Sequence, residues 1–145
     1  MTKGSVLLLL CFTLLSFPGC KKGGCNVIPD GSYQRIPFST TQYPDLVGDF
    51  GYEYLDGGYR GIIVVNSPFE GFVAYDRCST VNPAEGCAVE VDPKNQLQLI
   101  DPCSGATFSM ANGAPTNSLA RCPLKPYLVS PRNAVFGTPH YVITN

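Results

Sequence analysis

The residues of this chain that could do chemistry are its seven cysteines and its single histidine, His140. Cys103 sits in "DPCSGATF" (101–108), where a Pro-Cys-Ser-Gly turn follows an alternating, strand-like run. Turns of this shape often present a cysteine to a metal, but the thiol could equally be a disulfide partner or a buried apolar side chain. Cys78, Cys87, Cys103 and Cys122 have the spacing C-x8-C-x15-C-x18-C. That spacing has none of the close C-x2-C pairs of common zinc sites. Ser104 has no histidine base near it in the sequence, so it does not read as a nucleophile. Glu85, Glu90 and Asp92 read as solvated strand-edge or turn charges. Tyr52, Tyr54 and Tyr59 in "GYEYLDGGYRG" could form an aromatic face for a sugar or a partner, or could be half-buried packing. His140, in "GTPHYVI", reads as a turn or strand residue with a satisfied hydrogen bond. No catalytic constellation emerges, and the chain is not expected to be an enzyme.

The state of the cysteines depends on the compartment. The chain opens with MTKGS, continues with the apolar run VLLLLCFTLLSF (6–17) and reaches Gly19-Cys20. A membrane-spanning helix needs about 20 apolar residues, so this shorter run reads as a secretory signal over 1–19, which carries Cys11 away. Gly19-Cys20 resembles the lipobox of bacterial lipoproteins, in which the cysteine is lipidated. The expectation is therefore a domain in the bacterial cell envelope, outside the cytoplasm, lipid-anchored at Cys20 to the inner or outer membrane. Residues 20–28 would form a tether and 29–145 the domain. An oxidising compartment turns the five remaining cysteines into two disulfides and a leftover. Cys25, close to the anchor, is the natural odd one out.

The elements that must position these residues read as strands. The chain has 15 Gly, 13 Pro, 8 Tyr and 8 Phe, a composition suited to short strands and tight turns. Segments 33–38, 59–65, 71–75, 87–91, 96–100, 124–129 and 141–144 are rich in β-branched and aromatic residues and are bounded by turn formers. Asp56-Gly57-Gly58 and Asp92-Pro93-Lys94-Asn95 read as hairpin turns. Only 44–48 suggests a helical turn. The prediction is one all-β domain. A formal charge of −1 with no basic cluster argues against nucleic acid as a partner.

The segments "GFVAYDRCST", "GCAVEVD", "LQLIDPCSGATFSMANGAP" and "LARCPLKPYLV" together resemble the Rieske iron-sulfur domain, over roughly 59–130. The resemblance implies small stacked antiparallel sheets and a cluster-binding-type subdomain of two loops. In that family two Cys and two His hold a two-iron cluster, with both histidines on one iron. The interval from Gly105 to Phe108 sets the register. It puts Cys78 at a ligand-cysteine position, Thr80 at a histidine position, Asp101 at the second cysteine position and Ser104 at the second histidine position. An alternative register would make Cys103 the ligand, with Ala106 in the histidine position. The first register puts Cys103 at the position of a family disulfide, with Cys87 as partner, and the proline-loop resemblance suggests Cys78 and Cys122 as a second pair. A lone histidine outside both loops cannot supply the family's two imidazoles. The expectation is a domain that has lost its cluster, needs no cofactor, and binds an unidentified protein or small molecule or plays a structural part. The opposed reading keeps electron transfer, through a [2Fe-2S] centre with a non-standard ligand set. A metal held by Cys78, Cys87, Cys103 and Cys122, or a redox-active Cys87–Cys103 pair, are weaker alternatives.

Overall fold

The computed structural model describes residues 24–30, 34–135 and 137–145. The expected signal segment 1–19, Cys11, the lipidation position Cys20 and the first residues of the expected tether lie outside the described residues. Nine strands follow in order: β1 (Arg35–Ser39), β2 (Tyr52–Leu55), β3 (Ile62–Ser67), β4 (Gly71–Asp76), β5 (Glu90–Asp92), β6 (Asn95–Ile100), β7 (Thr107–Ser109), β8 (Pro126–Val135) and β9 (Thr138–Thr144). Two short 3-10 turns, Pro44–Leu46 and Pro83–Glu85, are the only helical pieces among the described residues, and none is long and apolar enough to cross a membrane. The protein is all-β. A six-stranded sheet runs β1-β9-β8-β4-β3-β2 and a three-stranded sheet runs β5-β6-β7, every pairing antiparallel.

Strand β3 organises the interior. Its run Ile62-Ile63-Val64-Val65 is fully buried, because both faces of the strand are covered. Ile63 and Val65 join Leu99 and Phe108 of the small sheet in one core, with Tyr75, Met110 and Leu124. Ile62 and Val64 point the other way, against Phe38, Leu46, Leu55 and Ile143. The six-stranded sheet therefore curls, so that β1 and β9 close over the outer face of β3.

Two strands, β2 and β7, lie outside the predicted segments, and both are short. The predicted strand over 87–91 begins only at Glu90. Residues 87–89 spend their backbone hydrogen bonds on the segment before Thr80 instead: Ser79 N–H donates to Cys87 O at 2.9 Å and Val89 N–H to Arg77 O at 2.6 Å. The turn at 92–95 is as predicted, with Asp92 facing Asn95 and Asp92 Oδ1 accepting the Lys94 N–H at 2.9 Å.

Candidate functional site

Two loops meet at one end of the small sheet. The first runs from the end of β4 to β5. It is anchored by Arg77, whose N–H donates to Gly61 O at 2.9 Å, whose Nε donates to Val89 O at 2.9 Å, and whose guanidinium lies 4.1 Å from the centre of the Tyr54 ring. The second joins β6 to β7. It closes as a tight turn, with Gly105 N–H donating to Asp101 O and Asp101 N–H to Ala106 O, both at 2.8 Å. Gly105 has φ +74°, a left-handed conformation that glycine adopts without strain.

A disulfide, Cys87–Cys103, ties the two loops together. The second disulfide joins Cys25 to Cys122, and Cys78 is free and buried. This corrects the expected Cys78–Cys122 pair and the expectation that Cys25 is left over. The reason is where Cys78 points. It is fully buried, with its thiol against the carbonyls of Ser79 and Pro83 at 3.7 and 3.8 Å. Cys122 instead meets the N-terminal segment crossing the surface. That segment is held further by Ile28, which is 1% exposed, and by Lys125, whose Nζ reaches Pro29 O at 2.9 Å and Asp30 Oδ1 at 2.7 Å. Residues 25–28, expected as tether, are thus strapped to the domain.

Asp101 is the polar centre of the loop pair. The residue is 2% exposed, and its carboxylate accepts hydrogen bonds from Ser79 Oγ at 2.6 Å, Ser104 Oγ at 2.5 Å and the Cys103 N–H at 2.9 Å. Burial pushes this carboxyl up. The bonds from both hydroxyls and from the Cys103 and Ser104 amides outweigh it and hold the group below its usual range. Burial pushes the Cys78 thiol up, and the charges of Asp76 and Asp101 push it further against the pull of Arg60. Of the four positions read as former ligand sites, Asp101 and Ser104 are hydrogen-bonded to each other. Thr80 turns away and donates to Cys122 O at 2.8 Å. Cys78 lies beneath, its N–H donating to Asp76 Oδ1 at 2.8 Å.

Two residues of this network had no place in the sequence reading. Ser79 lies between Cys78 and Thr80, and no spacing rule singles it out. Asp76 had a visible signal, a carboxylate ending the apolar run of β4. It is fully buried and also accepts from the Tyr59 N–H and from Tyr127 OH. Burial and the hydrogen bond to Asp76 push the Tyr127 phenol up. Among the tyrosines of the possible aromatic face, Tyr54 is packing, since its hydroxyl accepts the Val91 N–H at 3.0 Å and its ring lies under Arg77. Tyr52 and Tyr59 are exposed. His140 lies in β9, paired with Ser39 and Arg132 and outside both loops.

The sequence matches no protein-family model and no curated relative. Among solved structures, the chain is similar to the ferredoxin of carbazole 1,9a-dioxygenase from Nocardioides aromaticivorans IC177. That match has 15% identity and a TM-score of 0.46, and covers 79% of this chain and 97% of the other.

Proposed function

We propose that this chain is an exported, lipid-anchored domain of Rieske-like architecture that has given up its iron-sulfur cluster and serves as a binding or structural module. The observation that carries the reading is what joins the two loops. A disulfide joins the two loops, and at two of the former ligand positions stand a buried carboxylate and a serine, Asp101 accepting hydrogen bonds from the hydroxyls of Ser79 and Ser104. The donor set at the former ligand positions, Cys78, Thr80, Asp101 and Ser104, does not fit a two-iron cluster with two imidazoles. It offers a single thiol and no ring nitrogen. The serine hydroxyls bonded to Asp101 have no imidazole beside them, since His140 lies in β9 outside both loops. The anchor would be Cys20, and the partner a protein or small molecule of the cell envelope.

Metal content and non-reduced peptide mapping of the purified protein test this together. The expected protein is colourless, free of stoichiometric iron, and gives the Cys25–Cys122 and Cys87–Cys103 peptides. Intact mass should rise by about four hydrogens on reduction, as two disulfides require. Visible absorption with stoichiometric iron would overturn the reading in favour of electron transfer.

A further inference from the structure

Cys87, Asp101 and Cys103 each bring one donor atom, two sulfurs and a carboxylate oxygen, to within 4.8 Å of one another. While the sulfurs are bonded to each other they cannot act as thiolates. We propose that reduction of Cys87–Cys103 converts this latch into a binding site for a single divalent zinc ion, held by both thiolates and the Asp101 carboxylate. Cys87 and Cys103 lie outside the four former ligand positions, whereas Asp101 is one of them, so the inference rests on the reading that no cluster occupies the loops.

Several features support it. Zinc takes sulfur and oxygen donors together in a tetrahedron, and three protein donors with an open fourth position are a common set. Two thiolates on one zinc sit about 3.8 Å apart, so the sulfurs must separate after cleavage. The Cα atoms are already 6.3 Å apart, towards the wide end of the disulfide range. The carboxylate is oriented by Ser79, Ser104 and the Cys103 amide, the kind of outer partners that hold a metal-ligating carboxylate in place. Ser104 is half-buried, and its hydroxyl can turn aside to free a lone pair. Cys103 is exposed, which leaves the fourth position to water. Two thiolates and a carboxylate around Zn2+ carry one net negative charge, and the Arg60 guanidinium packs on Gly86, next to Cys87.

The chemistry balances with a dithiol as reductant. Its two thiols become a disulfide, the Cys87–Cys103 bond breaks, and each sulfur gains a hydrogen. Zinc then displaces those two protons to solvent.

The test titrates zinc, under anaerobic conditions, into the oxidised full chain and into the full chain reduced with a dithiol and then freed of the excess. The reduced chain is expected to bind one equivalent at micromolar free zinc or below, and the oxidised chain none. In the reduced wild type, zinc should protect Cys87 and Cys103 from N-ethylmaleimide while Cys25 and Cys122 stay reactive. Asp101→Asn should weaken zinc at least tenfold. Failure of the reduced wild type to bind, or protection falling on Cys25 and Cys122 instead, would overturn the proposal. The alkylation map is read on the wild type, so a variant that fails to fold does not remove the test.

Discussion

Asp101 keeps a negative charge in a place from which water is excluded, and it does so because several donors converge on it. A hydrogen bond to a charged group contributes about 1.5–3 kcal/mol, so Asp101→Asn is expected to cost roughly 2–3 kcal/mol at neutral pH. The pH dependence has a definite sign. The folded carboxyl sits below its ordinary value, so folding favours the ionised form. The stabilisation is complete above the unfolded carboxyl's pKa of about 4 and is lost as the pH falls through the lower folded value. Urea midpoints of wild type and Asp101→Asn measured across acid pH should converge below about pH 4. A constant gap across that range would show that the carboxylate charge is not what matters. Ser79 and Ser104 donate to this charge; Ser104 shares the tight turn with Asp101, whereas Ser79 is 22 residues away and no neighbour in sequence announces its contact.

At the scale of elements, the loops are held by covalent cross-links as well as by the buried Val89 and Ala106. Cys87–Cys103 spans 16 residues and Cys25–Cys122 spans 97. On the chain-entropy model these contribute about 3 and about 4.7 kcal/mol. Cys122→Ser is therefore expected to destabilise more than Cys87→Ser, and Cys25→Ser should match Cys122→Ser, with the double variant no worse than either. Additive losses at Cys25 and Cys122 in equilibrium urea unfolding would argue against the bond. Some elements were hidden for a local reason. Strands β2 and β7 are four and three residues long, too short for an alternating pattern to stand out. Strand β8 continues through Pro131, where the sequence suggests a stop. Its pairing with β4 involves only Pro126 and Tyr127, so Pro131 lies where β9 is its one strand neighbour, an edge position of the kind that tolerates proline.

For the whole molecule, β3 is the strand on which both cores depend. Ile63 faces the core shared with the small sheet, and Ile62 faces the one closed by β1 and β9. Either residue cut to alanine is expected to cost about 2–5 kcal/mol, and because the two cores share one strand, the loss should appear in a single cooperative transition. Hydrogen exchange that protected the β1–β9 pairing while releasing the small sheet in Ile63→Ala would instead mean two independent units.

The all-β class, most strand positions and the turn at 92–95 were legible in the sequence, because alternation, β-branching and turn residues act over a few neighbours. So was Asp101 in a tight turn with Cys103. The resemblance to a two-loop cluster domain suggested Cys87 as the partner of Cys103. What only the tertiary structure decided is the partner of Cys122 and the fate of Cys78. In the sequence Cys78 and Cys25 are both available thiols, and the one local cue, the position of Cys25 near the anchor, pointed to the wrong leftover. Folding separates them: it buries Cys78 beneath the loop pair and carries Cys25 across the surface to Cys122. Disulfide choice depends on distance and direction between side chains far apart in the chain, and only the folded chain sets these.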